Sequence, residues 1–157
     1  MAQYEPWSAE RAAAIIADYQ DVEGAALPIL HEIQHVFGFI PEAAIPMIAK
    51  ALNQSRAEIY GTVSFYHEFR RELPGRHVLR LCQAEACQAN GSERLRDRAE
   101  KRLGIKLGET TPDRRVTIEP VYCLGLCATG PSCQVDDRMV GRLTDEKLDA
   151  LLTEAQA

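Results

Sequence analysis

Long hydrophobic runs are missing from this 157-residue chain: each apolar stretch is broken within a few residues by charge or proline, so none could span a bilayer. Aromatic residues make up only 6%, with a single tryptophan. There is no Cys-x-x-Cys, which argues against a dithiol–disulfide exchange enzyme. There is no Gly-x-Gly-x-x-Gly and no phosphate loop, so the chain is not expected to bind NAD or a flavin itself. An excess of positive charge is also missing. Eighteen Lys and Arg against 23 Asp and Glu leave a formal charge of −5, which speaks against a dedicated nucleic-acid binder. Met1 to Trp7 has neither the basic start nor the apolar core of a secretion signal, so a cytoplasmic protein without membrane insertion is expected. With 46% hydrophobic and 26% charged residues, the composition is that of a globular protein and excludes a disordered or fibrous chain.

The first half reads as helices. Ser8 is suited to cap a helix running to about Gln20, with Trp7 packing over its start. Leu27, Leu30, Ile33, Val36 and Phe37 recur at helical spacing after Gly24, and Gly38 ends that helix. A third helix is expected from Pro41, carrying Ile45, Ile48 and Leu52. Ser55 and Glu58 form the reciprocal capping pattern of a fourth. Tyr60, Phe65, Tyr66 and Phe69 read as an aromatic core cluster.

The texture changes at Pro74-Gly75. His77–Leu81 alternates like a strand and delivers Cys82; Ser92–Leu103 is a charged amphipathic helix closed by Gly104; Val116–Val121 is a second strand and delivers Cys123. Gln134-Val135 and Met139-Val140 suggest a hairpin, and Thr144 a cap for a last helix. The expected organisation is an N-terminal helical domain, residues 1–73, followed by a small α/β domain, residues 74–157.

All five cysteines lie in the second half: Cys82, Cys87, Cys123, Cys127 and Cys133. A reducing compartment disfavours disulfides, and the odd count fits poorly with a fully paired framework. Cys82-x4-Cys87 and Cys123-x3-Cys127 each sit where a strand gives way to a loop, so two loops at one sheet edge can gather four thiolates. Gly125 and Gly130 permit positive φ and close backbone approach there. These gaps are looser than a usual zinc knuckle and suit a [2Fe–2S] cluster, while zinc and ordinary buried or redox thiols stay open on spacing alone.

Gly75–Cys82 with Cys87, and Tyr122-Cys123-Leu124-Gly125-Leu126-Cys127 with Gly130-Pro131, resemble the thioredoxin-like [2Fe–2S] ferredoxin family. Leu30–Gln34, Phe37–Pro41 and Tyr60–Tyr66 resemble that family's helical leader. The resemblance implies an α+β protein in which a helical bundle precedes a thioredoxin-like [2Fe–2S] domain. It implies one cluster per chain, held by Cys82, Cys87, Cys123 and Cys127. It also implies a chain that is non-catalytic alone and transfers electrons as a subunit of an oxidoreductase. NAD and FMN are then expected in a partner subunit. Family branches include complex I (NADH:quinone oxidoreductase), NAD(P)-reducing hydrogenases and NAD-dependent formate dehydrogenases. The loop Gln83-Ala84-Glu85-Ala86 is most similar to the formate dehydrogenase gamma subunit, which adds a formate-oxidising molybdenum- or tungsten-pterin partner to the expectation. A zinc-bound structural or adaptor module is the reading from a different class.

His31-Glu32-Ile33-Gln34-His35 matches the His-Glu-x-x-His pattern of zinc proteases. The next ligand position of the extended pattern is Pro41, which has no metal-binding side chain. At 100° per residue His31 and His35 fall opposite the apolar stripe, so the match reads as a polar face. His67 and His77 read as surface or strand-edge residues, the Glu93–Arg102 charge run as a solvated helix face, and Cys133 as a small buried residue.

Overall fold

Ser8 accepts a hydrogen bond from the Arg11 N–H (3.2 Å) and opens α1, Ala9–Tyr19. α2 covers Ala26–Phe37 and stops at Gly38, whose φ of 82° is in the left-handed region. A Cβ at Gly38 would also come within 2.7 Å of Leu73 and Tyr4, so both its conformation and its surroundings require glycine. α3 spans Ala44–Ala51 and α4 spans Arg56–Phe65. Ser55 caps α4 reciprocally: its hydroxyl accepts from the Glu58 N–H (3.1 Å) and the Glu58 carboxylate accepts from the Ser55 N–H (2.7 Å). The coordinates are a computed structural model that describes residues 4–157. The chain divides into two compact units at Leu73/Pro74.

The helical unit buries Ile15, Ile29, Leu30, Ile33, Phe37, Ile48 and Ile59. Each such side chain contributes about 1.5–3 kcal/mol relative to exposure. Trp7 packs edge-on against Phe37, ring centroids 5.0 Å apart. Two expectations need correction. Pro41 is not in the first turn of a helix; it belongs to a turn in which its carbonyl accepts from the Ala44 N–H, and the proline of the first turn of α3 is Pro46. The aromatic cluster is not core. Phe69 alone is buried, whereas Tyr60, Phe65 and Tyr66 are 44%, 73% and 42% exposed. The period of α4 turns only Ile59 and Val63 inward.

In the second unit β1 (His77–Cys82) lies between β2 (Val116–Val121), parallel to it, and β3 (Cys133–Val135), antiparallel to it. β4 (Arg138–Val140) completes the hairpin and the order β2-β1-β3-β4. Gly108 and Thr111 bond along the outer edge of β2, through Gly108 N–H to Ile118 O (2.6 Å) and Thr111 N–H to Val116 O (2.8 Å), covering part of an edge that would otherwise be open to pairing. Alternation places Leu79, Leu81, Val116, Ile118 and Cys133 on one face, packed against α6 (Ser92–Leu103) and α7 (Asp145–Gln156). A five-residue helix, α5 (Glu85–Ala89), follows β1.

α6 and α7 run parallel, joined by a ladder with a constant offset along the chain. Arg94 pairs with Asp145, Arg98 with Asp149 (3.0 Å), and Arg102 donates to Thr153 (2.6 Å). Steps of four residues on both helices keep the partners on one face of each. Asp145 and Asp149 each receive two of these arginines.

Candidate metal centre

Because β1 and β2 are parallel and in register, with Cys82 opposite Val121, both strands leave the sheet at the same edge. Cys82 is the last residue of β1, and Cys123 lies two residues beyond β2. The ladder continues through Gln83 N–H to Val121 O (2.8 Å), while Cys82 N–H bonds Ser132 O on the other side. α5 lifts Cys87 back toward Cys82, and Cys127 opens a single 3-10 turn, Cys127–Thr129.

The four thiols come as two pairs. Cys87 lies close enough to Cys82 for its thiol to favour the Cys82 thiolate. Cys123 Sγ is 3.7 Å from Cys127 Sγ. A tetrahedral metal with bonds of about 2.3 Å to sulfur sets two of its sulfurs about 3.8 Å apart, so the second pair already has the spacing of two ligands on one metal. Among the described residues no three His, Cys, Asp or Glu side chains converge on a single ion position. Two adjacent thiol pairs form a donor set in which each pair could take one iron of a sulfide-bridged centre.

The surroundings suit anionic sulfur. Burial opposes ionisation of Cys82, yet the N–H groups of Ala84, Cys123 and Leu124 and the Cys87 thiol outweigh it, and its pKa falls below the ordinary thiol value. Gly125 N–H donates to Cys123 Sγ (3.4 Å). Cys127 moves the other way: a hydrogen bond to Cys123 and the charge of that sulfur hold its proton on. Donors aimed at sulfur stabilise added negative charge and so raise a cluster's reduction potential.

Of the two loop glycines Gly125 alone uses a positive φ (+76°). Gly130 has φ −65°, and a Cβ there would lie at an ordinary 3.4 Å from Cys87 Sγ, so neither its conformation nor a close contact demands glycine. The second left-handed residue of the loop is Cys123 itself, φ +99°. α5, the N–H groups around Cys82, and buried Ser132, whose Oγ is 3.6 Å from Cys87 Sγ, are not apparent from sequence. Backbone donors carry no residue signature, and α5 is too short to show a period.

Cys133 stands apart. It is fully buried in β3 opposite Leu81, and burial pushes its thiol up to about 12. His31 and His35 lie exposed on α2, where the His31 ring packs on Phe69 at 4.9 Å. His77 Nδ1 lies 2.8 Å from the Asp136 carboxylate in the hairpin turn.

Fold and thiols together define a small α+β protein of the metal-binding class, its candidate centre on two loops at one sheet edge. The family model described as thioredoxin-like [2Fe-2S] ferredoxin matches residues 12–156. The chain belongs to that family, and membership brings one [2Fe–2S] cluster per chain. It is 37% identical over 134 residues to the E-type subunit of NADH-quinone oxidoreductase from Escherichia coli (strain K12), covering 85% of this chain and 81% of the relative. It is 38% identical over 148 residues to the second E-type subunit of NADH-quinone oxidoreductase from Rhizobium meliloti (strain 1021), covering 94% and 88%. Among solved structures it resembles an NAD+-reducing [NiFe]-hydrogenase in the H2-reduced state, with TM-score 0.64 and 26% identity over 73% of this chain and 20% of that one. Among the described residues no helix is long and apolar enough to cross a membrane.

Proposed function

We propose that this chain is the [2Fe–2S] electron-transfer subunit of an NADH-oxidising complex of the NADH-quinone oxidoreductase type, with Cys82, Cys87, Cys123 and Cys127 as the cluster ligands. The observation that carries this reading is the pair of thiol pairs delivered by the adjacent ends of β1 and β2. Residues 74–157 form the cluster domain and residues 1–73 a helical domain. When bound, the cluster supplies one-electron chemistry. This chain's own residues then have limited tasks. Cys82 and Cys87 anchor the buried side, Cys123 and Cys127 the open side, and the N–H groups of Ala84, Cys123, Leu124 and Gly125 hold negative charge on sulfur. The partner is a flavin- and NAD-binding subunit, because two-electron hydride chemistry and one-electron transfer have to meet at a flavin. The complex is assigned to the cytoplasm.

The names of the relatives favour NADH-quinone oxidoreductase. The loop Gln83–Ala86 favours the second reading, a formate dehydrogenase with a molybdenum- or tungsten-pterin partner. One experiment tests both. Anaerobically purified complex is assayed for iron, zinc and acid-labile sulfide, and its electron spin resonance spectrum is taken after NADH and, separately, after formate. Two irons and two sulfides on this chain with a one-spin signal support the cluster; stoichiometric zinc with no signal, also after reconstitution with iron and sulfide, overturns it. Reduction by NADH but not by formate supports the first complex, and reduction by formate as well replaces it with the second.

A further inference from the structure

α4 leaves most of its side chains uncovered. Of its ten residues only Ile59 and Val63 are buried. Tyr60, Phe65 and Tyr66 remain 44%, 73% and 42% exposed, with the Phe65 and Tyr66 rings 5.2 Å apart edge to face. Gly61 sits mid-helix, where glycine is among the poorest formers, yet a Cβ built on it meets nothing within 4 Å. Among the described residues nothing fills the space beside Gly61, so the helix backbone is open there to a contact from outside. Beside it, Ile45, Pro46, Ala57 and Tyr60 line an open groove of about 570 Å³, with Glu42 and Arg56 at its rim.

Charge defines what fits. Residues 1–73 hold ten Asp and Glu against five Lys and Arg, yet two of those five cations, Arg56 and Arg71, flank this one groove. Arg71 lies 5.3 Å over the Tyr60 ring and donates to its hydroxyl (3.2 Å). The one carboxylate of α4, Glu58, is engaged in capping Ser55. Elsewhere in the same unit Arg11 is paired with Glu5. An apolar groove flanked by two such arginines matches an acidic segment that presents an apolar side chain.

Resting on the function proposed above, we propose that the α4 face is where the flavin-bearing subunit docks. An acidic segment of that subunit lays an apolar side chain over Gly61 and sets carboxylates against Arg56 and Arg71. The test uses the full cluster-loaded chain and the FMN-containing subunit, with binding followed by titration at several salt concentrations. Gly61→Leu is expected to leave the thermal midpoint of the free chain level or raised, because leucine is the better helix former and meets open space, while weakening binding at least tenfold. The double variant Arg56→Glu/Arg71→Glu is expected to weaken binding at least tenfold and to flatten its salt dependence. Both are expected to keep the cluster's spin signal. Unchanged binding by both variants overturns the proposal. So does equal hydrogen-exchange protection of residues 56–66 in the free chain and in the complex, which would mean that the second unit of this chain, or another copy, already covers the helix. No binding by a wild-type chain that shows the spin signal overturns this docking face and spares the cluster; a wild-type chain without the signal overturns the function on which it rests.

Discussion

Gly141 lies outside both cysteine loops, yet its replacement by alanine is expected to damage the metal centre. A Cβ at Gly141 would lie 2.5 Å from Thr129 Oγ1, 3.0 Å from Thr129 Cβ and 3.1 Å from Thr129 O. Rotating the Thr129 side chain relieves the first contact and leaves the other two. Carbon atoms pack at about 3.5–4.0 Å, so the two segments must part by roughly half an ångström or more. They are tied together by Arg142 N–H to Thr129 O and Leu143 N–H to Pro131 O, and Thr129 is two residues from Cys127 in the same 3-10 turn. Overpacking of this kind costs about 1–3 kcal/mol. Metal–sulfur distances tolerate only about 0.2 Å, so a shifted turn withdraws Cys127 from its position. Gly141→Ala is therefore expected to lower both the urea midpoint and the iron bound per chain. Gly130→Ala, closer to the thiols, places its Cβ at an ordinary 3.4 Å from Cys87 Sγ and is expected to do less. Iron content, visible spectra and urea unfolding of the two variants decide the matter. Full iron and an unchanged midpoint in Gly141→Ala would refute the reasoning.

The remaining expectations are simpler. Cys82→Ala or Cys123→Ala should abolish the spin signal and iron binding, while Cys133→Ala keeps both and loses about 1–2 kcal/mol of stability through the missing buried sulfur, read by urea unfolding. Ser55→Ala removes the reciprocal cap of α4 and should cost about 1 kcal/mol with the cluster spectrum unchanged. Asp149 is held at about 2 by its hydrogen bond to Arg98 and by Arg102, against about 3.9 in an unfolded chain. The folded state thus binds fewer protons there, and the stability that the pair contributes above about pH 4 is lost as pH falls toward 2. Asp149→Asn should lose less stability than wild type across that interval in acid-unfolding curves.

The elements legible in the sequence are those that local chemistry dictates. Ser92–Leu103 with Gly104, the Ser55/Glu58 cap, β1 ending on Cys82 and the Thr144 cap of α7 stand as their residue patterns predict. The features that sequence hides are non-local or too short to repeat. Nothing in His77–Leu81 says that β3 lies on one side of it and β2 on the other. Composition assigns the aromatic residues of α4 to a core, whereas helical phase leaves Tyr60 and Phe65 outside. At the site, the cysteine spacing points to a two-loop centre, but the pairing geometry and the N–H donors to Cys82 emerge only once two distant strands are in register.

The unequal exposure of the thiol pairs bears on how the protein is made and how it wears out. Cys82 and Cys87 are 2% and 1% exposed, whereas Cys123 and Cys127 are open to solvent. Solvent-borne reagents such as chelators and peroxide therefore reach Cys123 and Cys127 before Cys82 and Cys87. With the proposed ligand set, loading would begin at the outer thiols and oxidative damage would meet Cys123 and Cys127 first. The inner pair, Cys82 at the end of β1 and Cys87 within α5, stays sheltered from such reagents. A partner that covered Cys123 and Cys127 would shield the site from loss and from reloading alike.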